Sequence, residues 1–128
     1  NARAAVPYEA EKAKCTGRHQ IKEFKKQTGV FFNGKGSIEW TVSTGLAQVY
    51  ALRFKFMNTN KRPVAVNFKL IAPNGAVLKD DTISLPDTPE KWRMLSTTTG
   101  SYINAGTYKV VISAPDLSGV AFDSLEIQ

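Results

Sequence analysis

Over residues 37–43 every second side chain is apolar: Ile38, Trp40 and Val42 alternate with Glu39, Thr41 and Ser43. The same period returns over 49–57, with Tyr50, Leu52, Phe54 and Phe56 on one register and Arg53 and Lys55 on the other. It returns again in Val64, Val66, Phe68 and Leu70, set against Ala65, Asn67 and Lys69. Successive residues of a strand point to opposite faces, so these runs suit half-buried strands and cannot line one face of a helix. Pro73-Asn74-Gly75 reads as a tight turn, with Asn and Gly supplying the left-handed conformation. Further short runs at 76–79, 82–85, 92–97, 107–114 and 120–127, with an N-terminal strand, bring the expectation to eight or nine strands. Helix is nearly absent: the one candidate, 20–26, is short and basic and is expected to be strand or loop. The pattern predicts an all-β fold, a two-sheet antiparallel β-sandwich. Trp40, Tyr50, Phe54, Phe56 and Phe68 fall on the inward register.

The chain has 128 residues, enough for one domain spanning 1–128 with its own core. It is 42% apolar and 22% charged, and no apolar run is long enough to cross a bilayer, so no membrane insertion is expected. It starts at Asn1 and shows no signal peptide, which fits a processed product or a piece of a longer protein. Cys15 is the single cysteine, which excludes an internal disulfide and a cysteine-rich zinc site. Of the net charge of +6, residues 1–26 supply +4: Arg3, Lys12, Lys14, Arg18, Lys22, Lys25 and Lys26 against Glu9, Glu11 and Glu23. No arginine cluster or interleaving of aromatic and basic residues accompanies that charge, so nucleic acid is not the expected partner.

Catalysis needs groups that move protons or attack, and few are present. Cys15 and His19 lie four apart, but Gly17 between them argues against a shared helical face. Glu9 with Glu11, or Asp80 with Asp81, could pair for glycosidic cleavage, yet they fall on an end strand and a turn with no sign of a cleft. Glu9 and Glu11, read as one strand, would point the same way about 6–7 Å apart. With Asp123 at the far end of the chain they offer hard oxygens of the kind calcium takes. On spacing alone a solvated charged edge is the better reading of them. Exposed rings beside polar groups could stack on a sugar face; Phe32, Trp92 and Tyr102 are the candidates, each also readable as filler or loop anchor.

Four blocks carry a resemblance. Tyr8-Glu9-Ala10-Glu11, then Gly29-Val30-Phe31-Phe32 through Ile38-Glu39-Trp40-Thr41-Val42, then Ala105-Gly106-Thr107-Tyr108, and finally Phe122-Asp123-Ser124-Leu125-Glu126-Ile127 resemble, in order, the carbohydrate-binding modules of the family 6 and family 35 type. The resemblance implies a galactose-binding-like jelly roll, a non-catalytic module of a secreted, periplasmic or cell-surface glycoside hydrolase or polysaccharide lyase. Its partners would be a polysaccharide or oligosaccharide and the parent catalytic domain, with the module itself monomeric. It implies a structural calcium held by Glu9, Glu11 and Asp123, completed by backbone carbonyls expected near 22–27. It implies sugar contacts from Phe32 and Trp92. Beside these, Tyr102 is read as a further stacking ring, Asn33, Asn104 and Asp116 as polar groups at the rim, and Arg93 or Lys35 as basic groups that would favour an acidic sugar. Two departures stand out: Phe32 where such modules commonly carry Tyr, and Ala121 where they commonly carry Asn, an amide that can both donate to and accept from sugar hydroxyls. The alternative is a packing module of the parent enzyme without sugar affinity.

Overall fold

The computed structural model describes residues 6–128; Arg3 of the basic N-terminal stretch lies outside them. Nine strands are described: β1 (Val6–Glu9), β2 (Lys14–Phe24), β3 (Gln27–Thr44), β4 (Ala51–Asn58), β5 (Val64–Ile71), β6 (Val77–Leu85), β7 (Arg93–Thr98), β8 (Gly106–Ala114) and β9 (Val120–Ile127). All pairings are antiparallel. The main path runs β6-β5-β8-β3-β9-β4-β7, with β1 on β9 and β2 on β3. β3 makes this one nearly closed sheet in two layers. Its C-terminal half pairs with β8 from Gly36↔Ala114 to Thr44↔Gly106, and its N-terminal part pairs with β9 at Val30↔Phe122 and Phe31↔Ala121.

The alternation holds in β3 from Val30 to Thr44. Val30, Phe32, Gly36, Ile38, Trp40, Val42 and Thr44 are buried, while Asn33, Lys35, Thr41 and Ser43 are exposed. Between the layers the rings meet edge-on or tilted in an unbroken series: Phe68 on Phe54, Phe54 on Trp40, Trp40 on Phe122 and Phe122 on Phe32, with centroids 5.7–6.2 Å apart. Such contacts add to the apolar area these residues bury. Among the described residues no helix is long and apolar enough to cross a membrane.

One sequence expectation changes and another holds. The chain expected to continue as strand through Glu11 ends β1 at Glu9 and enters a 3-10 turn, Ala10–Lys12. Ala10 is fully buried there and its carbonyl accepts from the Ala13 N–H at 3.0 Å. Burying Ala10 needs the chain to turn, so Glu9 and Glu11 do not share a strand face. The stretch 20–26 resolves into the end of β2 and a two-residue turn, Lys25-Lys26, both in the left-handed region at φ 51° and 67°. A bulge between Gly17 and His19 offsets β2 from β3; Gly17 has φ 86°, and a side chain there would run into the backbone of Lys35 and Gly36.

Candidate functional site

Three loops gather where β4, β6 and β8 end, and a buried amide ties them. Asn58 is fully buried and all four of its amide valences are used. Its Nδ2 donates to the carbonyls of Arg62 and Leu85, both at 3.0 Å, and its Oδ1 accepts from the Asn60 N–H and Nδ2. Asn60 also donates to the Ser118 carbonyl at 2.7 Å, and Thr59 donates to the Gly119 carbonyl. The 59–63, 86–92 and 115–119 loops are thus pinned together.

Beside them opens a cleft of about 450 Å³, lined by Phe24, Phe31, Phe32 and Asn33 with Thr59 and Glu90 at its loop side. It runs into a smaller hollow of about 240 Å³ along β2, bounded by Arg18, His19 and Gln20. Lys22, Phe31, Phe32 and Asn33 line both. The Lys22 ammonium sits 4.6 Å above the Phe31 ring, and Trp92 meets the same ring edge-on at 6.0 Å. Trp92 is anchored from behind: its Nε1 donates to the Phe24 carbonyl at 2.9 Å, and it packs so close to Gly29 that a Cβ there would lie 2.6 Å from the indole. A larger hollow, about 850 Å³, lies on the outer face of β5, β8 and β3. It offers no aromatic ring, and Lys35 is its one charged group. Volume without stacking surface makes it the weaker candidate.

The expected sugar contacts divide. Phe32 is only 4% exposed and is the last ring of the core series; Phe31, next to it, is the ring that turns outward. Extending the parity of Ile38, Trp40 and Val42 back along β3 would have assigned both correctly. Asn33 is exposed at the cleft and accepts from the Ser118 hydroxyl at 3.2 Å. Trp92 forms the wall behind Phe31. Tyr102, 76% exposed, and Asn104 lie elsewhere: the Asn104 carbonyl accepts from Thr44, which is the far end of β3, roughly 40 Å from Phe32 along the strand. Loop residues carry no periodicity that would reveal this separation. Lys35 borders the large outer hollow, and Asp116 closes a local turn by accepting from the Ser118 N–H at 2.9 Å. Nothing in the sequence singles out Phe24, Lys22 or Glu90, which also line the cleft: single polar or aromatic residues on an edge strand and a loop give no signal by themselves.

The three carboxylates lie at the seam where β1 meets β9, with Glu9 opposite Ser124. Asp123 is 5% exposed, and its Oδ2 stands 3.7 Å from the Lys55 ammonium. Burial pushes the Asp123 carboxyl up, Lys55 pulls it down, and the Glu11 charge raises it again. Glu9 is likewise raised, first by burial and then by the charges of Asp123 and Glu11. Glu11 Oε1 is buried with no hydrogen-bond donor. The three do not close into a ready-made metal cluster of side chains among the described residues. An acceptor buried without a donor, near two other carboxylates, nevertheless has the chemistry a hard cation satisfies, with backbone carbonyls completing the shell.

With the geometry in hand, the class is clear: the fold is that of the carbohydrate-binding modules of families 35 and 6. No family model matches the sequence, and no curated protein does. Among solved structures, the chain superposes on a family 35 carbohydrate-binding module from Clostridium thermocellum with TM-score 0.77 at 20% identity, covering 98% of each chain. It superposes on a family 6 module of a Cellvibrio mixtus lichenase, solved with cellotriose, with TM-score 0.71 at 17% identity, covering 96% of this chain and 95% of that one. It also matches part of a Phanerochaete chrysosporium exo-β-1,3-galactanase, with TM-score 0.78 at 14% identity, covering 100% of this chain and 30% of that enzyme.

Proposed function

We propose that this chain is a non-catalytic carbohydrate-binding module, serving a larger extracytoplasmic carbohydrate-active enzyme and stabilised by one calcium ion. The observation that carries the reading is the aromatic-lined cleft at the loop end of a fold shared with modules of this kind. Phe31 offers a ring held in place by Trp92, and Asn33, Thr59 and Glu90 supply polar groups beside it. A sugar would lay its carbon–hydrogen face on the ring while its hydroxyls meet those groups. Ala121 is buried beneath the cleft and offers no side-chain hydrogen bond, so polar recognition falls to the loop groups. Glu9, Glu11 and Asp123 would hold the calcium, which would neutralise their mutual repulsion and join the first strand to the last.

A glycan array in the presence of calcium, followed by affinity gels of the polysaccharides that score, tests the reading. Phe31→Ala should abolish retention while leaving the fold intact; unchanged retention would remove this cleft as the site. The second reading, a packing module without sugar affinity, draws on Leu46, Val49 and Tyr102, exposed by 51%, 44% and 76%. A blank array from a correctly folded protein would select it.

A further inference from the structure

Asn-Gly occurs twice in the chain, at Asn33-Gly34 and at Asn74-Gly75. This dipeptide can react with itself: a glycine nitrogen, unhindered by a neighbouring Cβ, is able to attack the asparagine side-chain carbonyl carbon. The fold treats the two copies differently. Both Oδ1 atoms accept a hydrogen bond, from the Ala76 N–H at 2.9 Å in one case and the Ser118 hydroxyl at 3.2 Å in the other. What separates them is the nitrogen. In the 73–75 turn the Gly75 N–H donates to the Ala72 carbonyl at 2.9 Å, which occupies the nucleophile. Asn33-Gly34 falls in a gap between ladders instead. β2 pairs with β3 at Gly17↔Gly36 and resumes at His19↔Phe32, β8 begins at Gly36, and β9 reaches only Phe31. Residues 33–35 thus lie outside all three registers. Gly34 has φ 111°, and a Cβ there would meet nothing within 4 Å, so the surroundings of its nitrogen are open. Asn33 is exposed.

We infer that Asn33 is a self-modification site, deamidating in the folded protein in preference to Asn74. The Gly34 nitrogen gives its proton to hydroxide and bonds to the Asn33 Cγ, the amide nitrogen leaves as ammonia, and water opens the five-membered imide. Opening at the side-chain carbonyl yields Asp at 33; opening at the main-chain carbonyl yields isoaspartate, with Cβ inserted into the backbone. β3 is fixed on both sides of the site. Phe32 ends the series of core rings, and Gly36 packs so closely that a Cβ there would lie 2.8 Å from the Phe32 ring. An added main-chain atom between these points strains the strand, which favours Asp. Asn33 lines both hollows of the cleft, so the reaction puts a carboxylate where an amide stood, a group that accepts but no longer donates. Its effect on glycan retention rests on the carbohydrate reading of the cleft.

Peptide mapping by mass spectrometry of native protein held at pH 8, with urea-unfolded protein in parallel, tests the site. Exchange of NH for O raises the mass of tryptic peptides 27–35 and 70–79, which carry the two asparagines. In urea both should react at comparable rates; in the native protein Asn33 should react at least tenfold faster than Asn74. Native Asn74 reacting as fast as Asn33, or native Asn33 staying intact while the unfolded chain reacts, overturns the site. The aged protein and the variant Asn33→Asp are then compared with fresh protein on an affinity gel that retains it, each expected to lose at least fivefold in retention. Unchanged retention overturns the effect on the cleft and leaves the modification standing. Fresh protein retained on no gel sinks the carbohydrate reading alone, because the masses are read without any glycan.

Discussion

Two adjacent phenylalanines show how one residue's position decides its role. Phe32 closes the series of core rings and Phe31 lies under Lys22 at the cleft. Phe32→Ala should therefore cost about 3–5 kcal/mol of stability, the usual range for deleting a buried ring. Phe31→Ala should leave the melting temperature within a few degrees and remove glycan retention. Paired denaturation and gel measurements on the two variants check this directly. Cys15 makes a second case. Its thiol is half-buried against the carbonyls of Ala10 and Ala13, and burial raises its pKa. The thiolate is the reactive form, so alkylation at pH 8 should be markedly slower in the native protein than in urea. A raised thiol pKa also has a sign in stability. Its contribution is intact below the unfolded thiol's value, about 8.5, and is lost as pH rises through the folded value. Cys15→Ala should flatten the alkaline side of the stability profile.

Elements were legible in proportion to how strictly they alternate. β5, the C-terminal half of β3 and β4 as far as Phe56 each bury one face and leave the other partly or fully open to solvent, as their sequences predict. β2 was not, because its residues are almost uniformly exposed and so show no alternation. It is held as a strand by pairing along β3, a tertiary cause. The turn that joins the two is unusual, since two lysines occupy left-handed positions that favour Asn-Gly. Left-handed conformation costs an ordinary residue roughly 1–2 kcal/mol. Lys25→Asn/Lys26→Gly should thus stabilise the hairpin by about 1 kcal/mol, read as a higher urea midpoint with unchanged slope. The loops depend on Asn58 instead. Replacing it by Ala strands the Arg62 and Leu85 carbonyls that it satisfies, and should cost about 1–3 kcal/mol. The same variant should weaken glycan retention, because the loops beside the cleft lose their common anchor.

At the scale of the molecule, the first and last strands lie side by side, and the proposed calcium joins them. An ion bound only by the folded state stabilises it by about 2.7 kcal/mol at a hundredfold excess over its dissociation constant. Chelation should lower the melting temperature by several degrees, and Glu11→Gln should abolish the calcium-dependent part. A melting temperature indifferent to both would remove the ion. Sequence alone determined the architecture, because a period of two repeated through most of the chain can bury its apolar face only by stacking strands in layers. It also marked the carboxylates at the two chain ends as belonging together, through the order of short blocks around them. The tertiary structure decided that Glu11 leaves the strand at a turn, that 14–24 forms a strand along β3, and that Tyr102 and Asn104 lie far from the cleft. Those outcomes depend on contacts between residues distant in sequence: Ala10 finding the core, Trp92 reaching Gly29, and β2 lying along β3. A local pattern records which way a side chain can point, and only the packed fold fixes what it meets there.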